Sequence, residues 1–226
     1  MKIYSLQKYR DKHIGKRIWI CGSGPSLTMV NEKLIPKKDI LIACNSATYH
    51  FKKMHYAIFS DEMANFSNWY LELKNKPCKI ILCNTGINKI KKNTTYLNKD
   101  FTTWKINKDD VNVIGGYDII HCAVHIAYVM GASEIILCGV DLRYKTLTEK
   151  YPYNQDLIDE APQDLKDLII KGRGVSEDYF DGALGLSLGG WKKIVENNND
   201  LPIKTISQKT NLNYYPFVDI NSLYDK

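Results

Sequence analysis

Hydrophobic and polar residues alternate along the chain in short blocks that predict strands separated by helices. Each apolar run is bounded by polar or turn-forming residues, and a run that is apolar throughout is typical of a buried parallel strand. The predicted strands cover residues 17–21, 39–44, 56–60, 79–83, 134–138 and 202–206.

Between these strands, apolar residues recur at helical spacing. The segment 116–130 is apolar nearly all round and stops at Gly131, so we expect a helix that packs deep against the sheet. Strands that alternate with helices predict an α/β, Rossmann-like fold with a mostly parallel sheet and helices on both faces. The predicted helices cover residues 26–34, 61–74, 116–130, 186–197 and 219–224.

The late stretch 143–182 is polar and aromatic, and proline and glycine interrupt it. We interpret it as a lid-like excursion over the sheet edge, of the kind that closes over an active site. No shift in composition divides the chain, so we interpret residues 1–226 as one domain.

Composition indicates where the protein acts. Hydrophobic residues make up 44% of the 226 residues, whereas the first residues lack a signal-peptide pattern and no apolar run is long enough to span a bilayer. We therefore expect a cytoplasmic protein without a transmembrane segment, for which peripheral membrane association stays open. The six cysteines lack metal-binding spacing and are predicted to be reduced core thiols.

Net charge indicates the class of partner. Against 25 Asp and Glu there are 31 Lys and Arg, and the resulting charge of +6 favours anionic, phosphorylated substrates. The lysines are scattered, and the one short basic run, at residues 89–92, is typical of a solvated loop. We therefore expect no nucleic-acid partner.

A glycine-rich turn lies between the first predicted strand and the first predicted helix, and it reads Gly22-Ser23-Gly24-Pro25-Ser26. Glycine permits close backbone approach, proline fits the start of a helix, and a helix amino end attracts anions, so the turn predicts a nucleotide phosphate site. Its spacing is neither the dinucleotide fingerprint nor the P-loop, and a tight structural turn is equally compatible. We expect Gly24→Val to fold and to lose the nucleotide.

Further polar or flexible residues lie at predicted strand ends and at a second helix start. Asn45, Asp61 and Asp141 each follow a strand, where open α/β sheets bind ligands, and Gly115-Gly116 precede the buried helix. Each has a structural alternative, as a helix cap, a loop anchor or a hinge.

His121 and His125 share one helix face at a spacing that can bind a metal. The surrounding motif of a zinc protease is absent, so we expect buried structural histidines.

Four segments together carry a resemblance to a known superfamily: Gly15–Leu27, Ala43–Asn45, Ala123–Gly131 and Glu134–Asp141. They resemble the bacterial sialyltransferases with a GPSL motif. The same superfamily includes motility accessory factors linked to flagellin glycosylation and 6-hydroxymethylpterin pyrophosphokinase-like proteins. The resemblance implies a Rossmann-like fold and a nucleotide site.

The resemblance also assigns roles to residues of the turn and the strand ends. In the sialyltransferases, the positions of Gly22, Gly24, Pro25, Ser26 and Asn45 hold a cytidine monophosphate sugar donor. Asp61 stands where those enzymes carry a donor-binding Asn, and Gly115-Gly116 match their Thr/Ser-Ser-Gly turn.

The catalytic end departs from the sialyltransferase pattern. Those enzymes rely on a His after the lid, whereas no His follows His125 here. The available candidates for the base are Asp178 and Asp181, and Arg143, Tyr144, Tyr151 or Tyr153 could neutralise the leaving phosphate.

Three functions fit this sequence. The first is a glycosyltransferase-like enzyme of surface glycan or flagellin glycosylation that uses a CMP-sugar or another nucleotide-sugar donor, a glycan or protein acceptor and no metal cofactor. The second is a pyrophosphokinase that moves diphosphate from ATP and needs Mg²⁺ on carboxylates such as Asp61 or Asp141. The third is a nucleotide-binding protein without catalysis.

Overall fold

A parallel sheet organises the chain. The computed structural model describes residues 2–60, 65, 68–84, 86–87, 93–143 and 177–224, with the backbone alone at 68–69 and 177–183. Its strands are β1 (Ile3–Tyr4), β2 (Arg17–Cys21), β3 (Ile40–Cys44), β4 (Tyr56–Phe59), β5 (Lys79–Leu82), β6 (Thr94–Leu97), β7 (Lys99–Asp100), β8 (Val113–Ile114), β9 (Glu134–Cys138) and β10 (Ile203–Thr205).

Within the described residues, eight of these strands form one sheet in the order β1-β6-β5-β4-β3-β2-β9-β10, and β7 pairs with β8. Every pairing is parallel. The chain moves outward from β2 through β3 to β6 and then returns to place β9 on the other side of β2. The strand order therefore reverses between β2 and β9, the kind of position where open α/β sheets bind ligands.

Helices cover both faces of the sheet, as predicted. Ile18 and Ile20 of β2 belong to the core on one face, whereas Trp19 and Cys21 belong to the core on the other. The α-helices are α1 (Ala47–His50), α2 (Asn68–Leu71), α3 (Ile119–Val129), α4 (Glu177–Asn197) and α5 (Asn221–Tyr224), and 3-10 helices occupy 6–9, 25–29, 32–34 and 72–75. The first core packs against α3 and α4, and the second against the short helices.

The buried helix α3 begins and ends at sequence signals. Asp118 caps its first turn by accepting from the backbone N–H groups of Ile120 and His121. The helix stops before Gly131, whose φ of +84° favours glycine. Because α3 connects parallel strands, its amino end lies at the carboxyl edge of the sheet, where the strands end.

Two predicted elements differ from the structure. The helix expected at 26–34 is two 3-10 helices, since the segment is too short to form a stable α-helix alone. The segment 177–182 is the first part of α4 rather than a loop, and residues 144–176 of the predicted lid lie outside the described residues.

The cysteine prediction is confirmed, because all six thiols are free and buried. A bilayer could not be crossed by any helix in the described part of the chain, since none is both long and apolar enough.

Candidate functional site

The glycine turn meets the loop after β9 at the point where the strand order reverses. The Gly22 N–H donates to the Cys138 carbonyl at 2.8 Å, and the Gly24 N–H donates to the Gly139 carbonyl at 2.7 Å. A Cβ at Gly22 would lie 2.7 Å from the Gly139 oxygen, and Gly139 itself has a φ of +63°. Glycine is therefore required on both sides, because the two backbones touch.

A carboxylate fastens the two loops together. Asp141 Oδ2 accepts from the Ser26 N–H at 2.9 Å and from the Ser26 hydroxyl at 3.0 Å. The same Ser26 oxygen accepts from the Gly139 N–H at 2.9 Å. All of these groups are buried. Asp141 therefore occupies the start of the 3-10 helix at Pro25–Met29, where the sequence predicted a phosphate.

This packing corrects the expectation for Gly24→Val. A Cβ at Gly24 would lie 2.5 Å from Asp141 Oδ2 and 2.8 Å from the Gly139 oxygen. Any side chain would therefore push against a carboxylate and the backbone, and the variant would lose stability as well as the site. Ser23 is half-buried and has no hydrogen-bond partner among the described residues, so it is the member of the turn that is free to donate to a ligand.

Asn45 presents an unpaired acceptor at the end of β3. Its φ of +49° is left-handed, a conformation that Asn tolerates better than most residues but that still carries strain. Its backbone is fixed, because its carbonyl accepts from the Thr48 N–H at 3.1 Å and from the Thr48 hydroxyl at 2.8 Å. Its side-chain Oδ1 is buried without a partner in the described part of the chain. An unpartnered buried oxygen is costly, so it points to a ligand donor.

Gly115 and Gly116 are enclosed by aromatic rings. A Cβ at Gly115 would contact the Phe101 ring at 2.3 Å, and one at Gly116 would lie 2.4 Å from His121 Cβ. The Gly115 N–H donates to the Asp100 carbonyl. Together with the Asp118 cap, these contacts fill the amino end of α3 where the sequence suggested a second phosphate.

Asp118 is a carboxylate at the carboxyl edge that sequence reasoning missed. Its Oδ2 accepts from the Ser187 hydroxyl of α4 and lies 3.6 Å from His121 Nε2, while its Oδ1 caps α3. Burial is the main cause of the raised pKa of the Cys44 thiol at the end of β3, and Asp118 adds to it. The signal for it was local: Asp118 precedes His121 by the spacing of a capping box.

The paired histidines of α3 are buried, as expected, and their rings contact different partners. Nδ1 of His125 accepts from the Ile114 N–H at 3.0 Å, and its Nε2 lies 3.2 Å from Asp110. Nε2 of His121 has no hydrogen-bond partner within the described residues. Burial lowers the pKa of both rings, against smaller opposing effects of Asp118 and Asp110. In the described part of the chain, no three His, Cys, Asp or Glu side chains converge to hold a metal ion.

The loop after β9 holds a second strained residue. Leu142 has a φ of +46°, which is rare for a bulky side chain. Asn211 fixes it, since the Asn211 N–H donates to the Asp141 carbonyl at 2.9 Å and its side-chain amide donates to the Leu142 carbonyl at 2.6 Å. Arg143 follows as an exposed guanidinium at the same edge. The structure thus places the glycine turn, Asn45, Asp118 and Arg143 at the carboxyl edge of the sheet.

The remaining predicted site residues lie outside these contacts. Asp61, Tyr144, Tyr151 and Tyr153 fall outside the described residues. The backbone places Asp178 and Asp181 in the first turns of α4. Ser187 of the same helix touches Asp118, and Asp178 precedes Ser187 by about 13 Å along the helix axis. Because α4 leads into β10, these turns extend beyond the carboxyl edge.

Comparisons with known proteins fit this architecture. A search of curated proteins gave no match. Solved structures that match this fold include sialyltransferases. CstII from Campylobacter jejuni with cytidine-5'-monophosphate has a TM-score of 0.53 and 15% identity, over 92% of this chain and 86% of the other. CstII with a trisaccharide acceptor and CMP has a TM-score of 0.51 and 14% identity, over 89% of this chain and 85% of the other. The monofunctional α-2,3-sialyltransferase Cst-I from Campylobacter jejuni has a TM-score of 0.51 and 19% identity, over 90% of this chain and 80% of the other.

At these identities the likeness concerns the fold, and it confirms the Rossmann-like prediction. The family is defined by a separate finding. The family model for 6-hydroxymethylpterin diphosphokinase MptE-like proteins matches residues 1–146, more than half of the chain. That segment contains the glycine turn, Asn45, Asp118 and the Asp141 clamp. The chain belongs to the MptE-like family, within the superfamily expected from its sequence motifs.

Proposed function

We propose that the protein is a transferase that binds a nucleotide-activated sugar at the carboxyl edge of the sheet and passes the sugar to a glycan or protein acceptor. One observation carries the proposal: the buried, unpartnered Oδ1 of Asn45 lies beside the reversal of strand order. A donor on the ligand would satisfy this oxygen, and a nucleotide offers such donors on its base and ribose.

The extent of the fold supports a sugar donor. The family match ends at residue 146, whereas the likeness to sialyltransferases extends over 92% of the chain and therefore beyond that segment. The related structures hold CMP and, in one case, an acceptor trisaccharide. We extend these ligands to the present chain as a class: a nucleotide monophosphate sugar and an oligosaccharide.

The described residues supply parts of such a site. Asn45 would accept from the base or ribose, and the free N–H and hydroxyl of Ser23 would donate to the phosphate. Arg143, as an exposed cation at the same edge, would offset the charge of the leaving nucleotide. For the acceptor hydroxyl, Asp118 is a described carboxylate at this edge, and Asp178 and Asp181 stay candidates on α4. A cytoplasmic enzyme of surface glycan or flagellin glycosylation is consistent with these assignments.

Diphosphate transfer is the second candidate, and the family match over residues 1–146 favours it. It would place ATP at the same edge, with Mg²⁺ held by carboxylates. Asp141 is engaged by Ser26, so a metal there would have to share its carboxylate. Asp61, the other carboxylate predicted for this role, lies outside the described residues.

Turnover of the donor separates the two candidates. The purified protein is incubated with CMP-, UDP- and GDP-sugars, and separately with ATP and 6-hydroxymethylpterin with and without Mg²⁺, and released nucleotide is followed by ³¹P NMR. Release of CMP or a nucleoside diphosphate from one sugar donor in the presence of chelator supports the sugar transferase. Release of AMP that requires both Mg²⁺ and the pterin would replace it with the diphosphokinase.

A further inference from the structure

A basic groove lies at the amino edge of the sheet, opposite the proposed nucleotide site. It has a volume of about 750 Å³ and is formed where β3, β4 and β5 begin. Its basic and amide lining includes His13, Lys53, His55, Lys79 and Asn93. The carboxylates Glu32 and Asp39, Lys37 and apolar residues such as Leu41 and Met54 also line it. We call it the amino-edge groove.

Tyr56 contacts both His13 and Lys79 of the groove. Its hydroxyl is hydrogen-bonded to His13 Nε2 at 2.8 Å, and the Lys79 ammonium lies 5.8 Å from the centre of its ring. The Tyr56 side chain is buried, so it fixes these two groups relative to each other. The wall of the groove therefore includes a fixed residue at the start of β4.

His55 has a defined tautomer. Its Nδ1 accepts from the Leu41 N–H at 3.0 Å, so the neutral ring carries its proton on Nε2. Burial is the main cause that lowers the pKa of this ring, and Lys79 adds to the effect. His55 therefore acts as a fixed donor rather than as a variable charge.

The positive charges of this edge repel one another. The pKa of His13 is lowered to about 4, first by burial and then by His55, Lys79, Lys12 and Lys16. The three lysines act in the direction expected of positive charge.

The two carboxylates that line the groove are already engaged. Glu32 accepts from the backbone N–H groups of Lys52 and Lys53, and Asp39 accepts from Trp19 and pairs with Arg17. The charged groups that change the pKa of His13 are therefore the lysines Lys79, Lys12 and Lys16, which lower it.

We propose that the amino-edge groove is a second binding site, which takes the phosphate of a small organic phosphate through Lys79, His13 and the His55 Nε2–H. A bound phosphate relieves the repulsion among the cations, and the apolar lining accommodates the rest of the ligand. Binding makes His13 easier to protonate, and the protonated ring donates Nε2–H toward Tyr56. The site is independent of the proposed nucleotide site, since it lies at the opposite edge of the sheet.

The test follows the imidazole resonances of His13 and His55 by NMR while diphosphate or phenyl phosphate is added at constant ionic strength. We expect saturable shifts at both rings and a rise in the His13 pKa by about one pH unit or more, because an opposite charge then lies close to it. Lys79→Gln should weaken binding at least about 10-fold, whereas Lys192→Gln, which removes an exposed charge from α4, should leave it unchanged.

Two further arms identify the source of the phosphate and the independence of the site. Binding to phosphatidylglycerol vesicles that Lys79→Gln abolishes would assign the phosphate to a lipid headgroup, and binding of the free phosphates alone would assign it to a soluble ligand. Asn45→Gly, which alters the opposite edge, should retain the shifts. The proposal is overturned if the shifts equal those caused by sodium chloride, or if Lys79→Gln and Lys192→Gln behave alike.

Discussion

Two unfavourable features meet in Asn45: a left-handed backbone and a buried oxygen without a hydrogen-bond donor. Neither contributes to stability. Strained and unsatisfied groups persist where the surrounding structure fixes them, and they concentrate at ligand sites. The Thr48 contacts and the neighbouring strand supply that fixation.

Asn45→Gly should separate stability from binding. Glycine adopts a φ of +49° without strain and removes the unpaired oxygen, so we expect the free energy of unfolding to stay within about 1 kcal/mol of wild type or to rise. The same change should weaken nucleotide binding roughly 10-fold by removing the acceptor. Calorimetric titration and urea unfolding measure the two effects. Asn45→Asp keeps an oxygen acceptor and serves as the control, and unchanged affinity in the glycine variant would contradict the role.

The hydroxyl group of Ser26 is expected to contribute to the stability of the fold. Ser26→Ala removes the hydroxyl that donates to Asp141 and accepts from the Gly139 N–H, and it leaves that buried N–H unpaired. We expect a loss of about 2 kcal/mol in the free energy of unfolding. Ser133→Ala removes one exposed hydrogen bond to the Gly15 carbonyl and should cost much less. Equal effects in urea unfolding would mean that the clamp does not hold the two loops.

At the scale of elements, α4 makes the clearest contrast between sequence and structure. Its glycines lower helix propensity, so the sequence predicted a start at residue 186, nine residues after the observed start at Glu177. Packing holds the later turns of α4, because Trp191 and Ile194 are fully buried in the core shared with α3. Local propensity carries no information about that contact.

Two adjacent glycines of α4 should respond oppositely to alanine. A Cβ at Gly190 would lie 2.5 Å from His121 Cε1, so Gly190→Ala should destabilise the fold by about 1–3 kcal/mol. A Cβ at Gly189 would meet nothing within 4 Å, so Gly189→Ala should stabilise the helix by about 0.5–1 kcal/mol. Thermal unfolding of both variants checks the pair, and a shift of the same sign in both would refute the packing of α4 on His121.

For the whole molecule, buried histidines set the response to acid. His13, His121 and His125 have pKa values below the unfolded value of 6.5, mainly because burial disfavours the charged ring. Below that value the unfolded chain binds more protons than the folded one. Stability that is full above pH 6.5 is therefore lost as the pH falls toward 4.

Urea unfolding at about pH 7.5 and about pH 5.5 should thus give a lower midpoint in acid, since few carboxylates titrate in this range. His13→Gln keeps a polar partner for Tyr56 and should reduce the difference between the two midpoints. Midpoints that do not change with pH, or a variant with an unchanged difference, would count against this distribution of buried rings.

Sequence periodicity predicted the central strands and α3 well, because each is a buried run with a cap or a glycine at its end. It missed β6, since Thr94–Leu97 lies within a polar stretch of the sequence. These residues are buried because β6 pairs with β5 and β1. The glycine turn and Asn45, which the sequence predicted for the site, lie at the carboxyl edge of the sheet. The roles within it could not be predicted, because the Asp141 clamp and the Asp118 contact join residues far apart in the chain.

We propose that a nucleotide binds at the carboxyl edge through Asn45. The most direct test of this claim is the thermal midpoint of wild type and Asn45→Gly with CMP, CDP, UDP, GDP and ATP, each with and without Mg²⁺, because a ligand that binds the native state raises the midpoint. We predict a rise with a cytidine or uridine nucleotide in the wild type that is absent or much smaller in the variant. No rise with any nucleotide, or an equal rise in both proteins, would contradict the claim.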